Sequence, residues 1–204
     1  MDSYDIKKAL PALYAPKPGD FHLVEVPELS FLMIDGHGDP NVSPAYTEAV
    51  EALFSLSYAV RAIAKSELGR VHTVGPLEGL WSAEDPRAFV AGDKSAWDWT
   101  MMIWQPSWMT PDIIETATRL AAKKSRAALD RVRSAPYAEG TSVQILHVGS
   151  YDCEAPVLAR LHAEHLPRHG LTLNGKHHEI YLSDARRTDP AKLRTILRQP
   201  VASS

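Results

Sequence analysis

Hydrophobic residues along this chain come in short runs, broken by fifteen prolines and eleven glycines, a rhythm that predicts many brief strands and few long helices. Residues 1–20 contain Pro11, Pro16, Pro18 and Gly19 and are expected to form an N-terminal arm without a long element. Residues 21–26 and 30–37 read as strands, the second running into the turn cluster Gly36-His37-Gly38-Asp39-Pro40. A helix follows. Ser43 suits its N-cap, Pro44 its first position and Gly69 its end, while Ala49, Leu53, Leu56, Val60 and Ile63 recur every three or four residues. Strands at 77–82 and 97–104 come next, separated by a polar loop.

The second half repeats this plan. Thr110-Pro111-Asp112 opens a helix expected to run over residues 111–133, its basic residues marking a solvent-facing bridge. Residues 142–148 read as a strand, Gly149 to Asp152 as a turn, 154–168 as a helix and 176–182 as a strand. A short helix near 190–197 closes the chain. Ile34-Asp35-Gly36-His37-Gly38 is echoed by Leu146-His147-Val148-Gly149, and Glu78-Gly79-Leu80-Trp81-Ser82 by Glu179-Ile180-Tyr181-Leu182-Ser183. The expected organisation is one α+β domain over residues 21–200, with two βαββ-like halves at about 21–106 and 140–184. Such halves leave a cleft at their junction, where ligands commonly bind.

Composition narrows the function. With 204 residues, 45% hydrophobic and 23% charged, the chain has ample material for a core and is not generally disordered. A net charge of −3 gives no basic footprint for nucleic acid. The single cysteine, Cys153, excludes a disulfide framework and fits a reducing compartment. No segment has the pattern of a signal peptide or a membrane span, so the expectation is a cytoplasmic protein with neither nucleic-acid nor membrane partner. The oligomeric state stays open.

Two stretches carry candidate chemistry. Trp97, Trp99, Trp104 and Trp108 surround Met101, Met102 and Ile103. Alternation puts Trp97, Trp99, Met101 and Ile103 on one face and Asp98, Thr100, Met102 and Trp104 on the other. This is either a strand buried on both sides or an aromatic and methionine wall for a flat ligand. In His177-His178-Glu179-Ile180-Tyr181-Leu182, Ile180 and Leu182 choose the core, so Glu179 and Tyr181 face the other way, toward solvent or toward the cleft. In the cleft, burial would disfavour the charge of Glu179, and the residue would attract lipophilic cations or serve as a base. His162, His165 and His169 share a helix face, and His177 and His178 follow. That set suggests a metal site or a wet helix surface; without an H-E-x-x-H pattern, the expectation is no metal and no cofactor. Neither a G-x-S-x-G elbow nor a phosphate-cradling glycine loop is present.

The strings His147-Val148-Gly149-Ser150-Tyr151-Asp152 and Gly175-Lys176-His177-His178-Glu179-Ile180-Tyr181-Leu182-Ser183-Asp184 resemble the GyrI-like small-molecule-binding family. Leu77-Glu78-Gly79-Leu80-Trp81 and Trp99 to Pro106 resemble its stand-alone bacterial branch. The resemblance implies two βαββ units related by a pseudo-twofold, an antiparallel sheet and a central groove for hydrophobic, often cationic, aromatic molecules. It also implies one of two activities: multidrug binding or sensing, or hydrolysis of cyclopropanoid DNA-alkylating compounds with consequent detoxification. Glu179 then stands at the groove carboxylate and Tyr151 at the turn tyrosine, the two catalytic candidates. Trp81, Trp99, Met101, Trp104 and Tyr181 are the ligand-binding candidates. Trp104 replaces an expected polar or basic residue, implying an altered groove rim. A gyrase-inhibitor-like interaction module is the third reading, and no acidic run that could imitate DNA supports it.

Overall fold

The computed structural model describes residues 3–84, 93–123 and 127–204. Its longest element, helix α3 (Pro44–Leu68), has the ends expected of it: the Ser43 hydroxyl accepts from the Tyr46 N–H, and Gly69 closes the helix in the left-handed region. Ala49, Leu53, Leu56 and Val60 are buried along its inner stripe. Burying side chains such as Leu53, Leu56 and Val60 contributes roughly 2 kcal/mol each.

Two short helices, α1 (Ile6–Ala9) and α2 (Pro11–Tyr14), precede β1 (His22–Val26) and β2 (Leu29–His37). After α3 come β3 (Leu77–Ala83), β4 (Trp97–Gln105) and α4 (Pro111–Ala122). Then follow β5 (Arg133–Tyr137), β6 (Gly140–Val148), α5 (Ala155–Arg160), a wide π turn (Leu161–His165), α6 (Leu166–Arg168), β7 (Leu171–Leu173), β8 (His177–Tyr181) and β9 (Arg194–Ser203). The strands form one nine-stranded sheet ordered β1-β6-β9-β8-β3-β4-β2-β5, with β7 beside β9, and its pairs are antiparallel.

This order is a pseudo-twofold about the central β3–β8 pair: β3-β4-β2-β5 on one side mirrors β8-β9-β6-β1 on the other. Each βαββ unit therefore takes the leading strand of the other. β1 runs on into β2 yet pairs with β6, while β5 runs on into β6 yet pairs with β2, in the same register on both sides of the crossing. The two faces of the sheet have different cores. On the front, α3 and α4 cover Leu32, Ile34, Trp99, Met101 and Ile103, while the second half's helical segment covers Val143 and Val201. On the back, α1 and α2 supply Ile6, Leu13 and Tyr14 to a core with Val24, Leu80, Leu146, Ile180 and Ile196.

Three expectations are corrected. The helix beginning at Pro111 ends at Ala122, not at residue 133, because its buried stripe of Ile113, Ala117 and Ala121 stops there, and residues 133–137 pair with β2 instead; residues 124–126 lie outside the described set. The short helix near 190–197 is a single 3₁₀ turn, Pro190–Lys192, followed by β9. The second unit consequently runs on to Ser203 rather than closing at 184. Residues 195–201 are buried on both faces of β9, so no alternation marks them as a strand.

Candidate functional site

On the front of the sheet, the central strands β3 and β8 lie between the helices that cover the two halves, and the face they present there is where the expected groove would lie. Their register sets Gly79 beside Glu179, Trp81 beside His177 and Leu77 beside Tyr181. Successive residues of a strand point to opposite faces, so His177, Glu179 and Tyr181 share the groove side while His178 and Ile180 point to the back. A side chain on Gly79 would come within 2.9 Å of Trp81 Nε1 and 3.2 Å of Met101 Sδ. Glycine there lets the indole lie over the floor.

Glu179 is held from two sides. Its Oε2 accepts from the Tyr181 hydroxyl at 2.7 Å, and Tyr181 in turn accepts from Trp81 Nε1 at 3.1 Å. His177 Nε2 stands 3.5 Å from Oε1. Tyr46 of α3 stacks toward Trp81 and meets Trp99 edge-on, and Trp97 packs edge-on against Trp81. Burial, reinforced by the charge of Glu179, raises the phenols of Tyr46 and Tyr181, which stay protonated donors.

Tyr151 arrives from the second half on the turn after β6. That turn is fixed by Gly149 N–H donating to the Leu193 carbonyl at 2.9 Å and by His147 Nε2 lying 3.1 Å from the Ser150 carbonyl. The Tyr151 ring meets Tyr181 edge-on at 5.7 Å. Its phenol is pushed up to about 12, first by burial, then by the charges of Glu154, Glu179 and Asp184.

The same turn delivers Glu154, a residue the sequence reading passed over. Glu154 is buried, and its Oε1 has no hydrogen-bond partner. Burial, and next the negative charge of Glu179, push its carboxyl up to about 9, with Thr195 nearby working weakly the other way. Glu154 is thus an acid held toward its protonated form close to a second carboxyl group, Glu179. In sequence, Glu154 looks like an ordinary acid at a helix start. Yet its side chain makes no capping bond, and the strand and turn behind it create its environment.

The structure brings Trp81, Tyr181, Tyr151 and Glu179 together. Trp99 and Met101 are fully buried beneath that surface, Trp99 against Gly36, where any side chain would collide with the indole. They are foundations of the wall rather than its surface. Trp104 is a correction: it lies on the back face, stacked on Tyr4 at 5.6 Å and edge-on to His72. Its position is two residues in phase with Met102, so it cannot shape the groove rim. The histidines disperse. His178 enters a buried network on the back, His165 and His169 stack on one another at 4.3 Å, and His162 lies near enough to His177 to feel its charge. Among the described residues no group of three or more His, Cys, Asp or Glu is placed to hold a metal ion, and no helix is long and apolar enough to cross a membrane.

Against known proteins, a model of the GyrI-like small molecule binding domain matches residues 19–202. An uncharacterized conserved protein from Listeria innocua superimposes with a TM-score of 0.89 at 38% identity, spanning 98% of this chain and 100% of its own. A hydrolase from Listeria innocua superimposes with a TM-score of 0.84 at 35% identity over the same shares, and a further hydrolase from that organism with 0.86 at 36% identity. None of the curated proteins matches the sequence.

Proposed function

The chain belongs to the GyrI-like small molecule binding domain family, and from that premise we propose that it binds flat, hydrophobic aromatic compounds in the groove and hydrolyses those carrying a strained electrophilic cyclopropane. Such a reaction disarms cyclopropanoid DNA-alkylating agents. The observation that carries this reading is the pairing of Glu154 with the Tyr181-held carboxyl group of Glu179 inside an aromatic wall. Two neighbouring carboxyl groups, one held toward its protonated form, suit a general acid and a general base at one site. Full-length likeness to a hydrolase from Listeria innocua supports it.

The step assigned to the groove is a hydration. Glu179 takes a proton from water as the water oxygen bonds to the unsubstituted cyclopropane carbon. The strained C–C bond breaks, and its electron pair flows through the conjugated ring to the carbonyl oxygen, which becomes a phenolate. Protonated Glu154 supplies the proton that this oxygen gains, and the Tyr151 hydroxyl donates a hydrogen bond to it. One water is consumed, one carbon–oxygen bond forms, and proton return from Glu179 to Glu154 through solvent resets the pair. Ring aromatisation drives the opening, so modest catalysis suffices. Binding itself needs only the wall: burying about 200 Å² of apolar ligand surface contributes roughly 5 kcal/mol before association costs.

The other reading is binding without turnover. It is favoured by the charge of Glu179 beneath Tyr and Trp rings, a combination suited to lipophilic cations. One experiment separates the two: incubate the protein with a cyclopropanoid compound and follow the mass increase of one water. Turnover by the wild type, lost in Glu179→Gln while the compound still quenches tryptophan fluorescence, supports hydrolysis. Binding of cationic dyes with no hydrated product supports the sensor.

A further inference from the structure

The pseudo-twofold gives each half a hollow on the back of the sheet, and the first half's keeps an open cleft. Strand register equates Ala135 with Val24, Asp35 with Leu146, Thr100 with Ile196 and Leu80 with Ile180. In the second half, Val24, Leu146, Ile180 and Ile196 share a core with Ile6, Leu13 and Tyr14 of the N-terminal arm. Arg198 Nη2 and Gln144 Nε2 fasten that arm by donating to the carbonyls of Leu13 and Ala12, each at 2.7 Å. In the first half, the equivalent residues line an open cleft of 760 Å³, whose base of Met33 and Leu80 also joins the edge of the core that the arm completes.

The open cleft differs chemically from the filled one. Where the filled hollow has Leu146 and Ile196, the cleft has Asp35 and Thr100. The Thr100 hydroxyl donates to Asp35 at 2.7 Å, and Arg133 grips both oxygens of the same carboxylate. Lys176 stands on the facing loop, near enough for its charge to act on Asp35. Glu139 reaches the cleft but is already matched by His178 and Arg198. Arg133 and Lys176 against Asp35 therefore leave one positive charge in excess. The rest of the lining is largely apolar, with Met33, Leu80, Pro136, Tyr137 and Pro200. A peptide like the arm has no anchors here, because the positions equivalent to Gln144 and Arg198 are Met33 and Met102, which donate nothing.

We infer that this cleft is a second ligand site, distinct from the groove, for small amphipathic organic anions: a carboxylate directed to Lys176 and Arg133, with an aryl or alkyl tail over Ala135, Pro136 and Tyr137. Leu80 and Thr100 point away from Trp81 and Trp99, so the sheet separates the two sites.

The probe is 4-phenylbutyrate, titrated calorimetrically into the full chain. Saturable binding is expected. Lys176→Glu should weaken it at least tenfold, Ala135→Phe, which fills the cleft, should abolish it, and Glu179→Gln in the groove should leave it within twofold. Lys176 is exposed, so its variant decides the matter if Ala135→Phe fails to fold. Three results would overturn the assignment: no binding by the wild type, binding that survives Lys176→Glu but is lost in Glu179→Gln, or a dimer dissolved by Ala135→Phe, which would give the cleft to a second copy.

Discussion

Strand β8 separates two buried polar clusters with opposite electrostatic characters. Behind it, His178 donates Nδ1–H to Glu139 and Nε2–H to Glu78, each at 3.0 Å, and Tyr14 donates to the other oxygen of Glu78 at 3.0 Å. Arg198 completes the set, donating to Glu139 at 3.1 Å and to Gln144 at 2.9 Å. Two carboxylates thus face two cations, and an imidazole that donates from both nitrogens is charged. His178 is raised to about 9 because the pull of Glu139 and Glu78 outweighs its burial, and the same cations hold Glu139 down to about 2 despite its own burial. In front, Glu154 Oε1 has no partner. The distant charge of Lys94 and the nearby Thr195 do not offset its burial and the charge of Glu179, so its carboxyl is pushed up to about 9. The same burial leaves a matched set ionised and an unmatched acid neutral. The back cluster can lock β8 in place, whereas the front cluster keeps an unsatisfied acid.

The largest effect should come from breaking the back. His178→Leu leaves Glu78 and Glu139 short of a cation in a dry interior and should destabilise the fold by about 3–5 kcal/mol in urea denaturation. The pH dependence has a definite sign. The Glu139 contribution is complete above 4.5 and lost as pH falls through about 2. That of His178 is complete below 6.5 and lost as pH rises through about 9. The back cluster therefore stabilises most between pH 4.5 and 6.5.

The front should respond in the opposite sense. A carboxyl raised from 4.5 to about 9 imposes no penalty below pH 4.5, and stability is lost as pH rises toward 9. Glu154→Gln removes that penalty and should stabilise the protein by on the order of 2 kcal/mol at pH 7. Denaturation at pH 4.5 should give the two proteins equal stability. If Glu154→Gln is destabilising at pH 7, the front is not the unsatisfied cluster described here.

A smaller effect tests the link between wall and carboxylate. Gly79→Ala places a methyl against Trp81 Nε1, displaces the indole and removes its hydrogen bond to Tyr181. Affinity for a planar aromatic ligand should fall about tenfold, or ~1.4 kcal/mol, and urea stability should fall by about 1 kcal/mol. Fluorescence titration measures the first and denaturation the second.

What could be read from sequence follows from the same contrast. Helix α3 was legible because its caps and its 3.6-residue stripe are local. The β8 face carrying Glu179 and Tyr181 was legible because Ile180 and Leu182 fix the parity of the strand. β9 was not, since Arg198 and Gln199 are buried beside Ile196 and Leu197 and erase any alternation. β5 was not, because its partner lies a hundred residues earlier in β2 and Pro136 argues against a strand. Trp104 was misplaced even though period two had already set it opposite Trp99. Glu154 was missed because nothing in its neighbours' identities reveals burial; only the folding of the 147–154 turn against β8 creates its environment.

The central claim, that burial and the neighbouring Glu179 hold Glu154 toward its protonated form, is tested most directly by a carboxyl-carbon NMR titration of protein labelled with ¹³C-glutamate. One glutamate signal should titrate near pH 9, disappear in Glu154→Gln and move to lower pH in Glu179→Gln, where the neighbouring charge is gone while burial remains. A spectrum in which all glutamates other than those of the back cluster titrate near 4.5, with no signal lost near pH 9 in Glu154→Gln, would contradict the account.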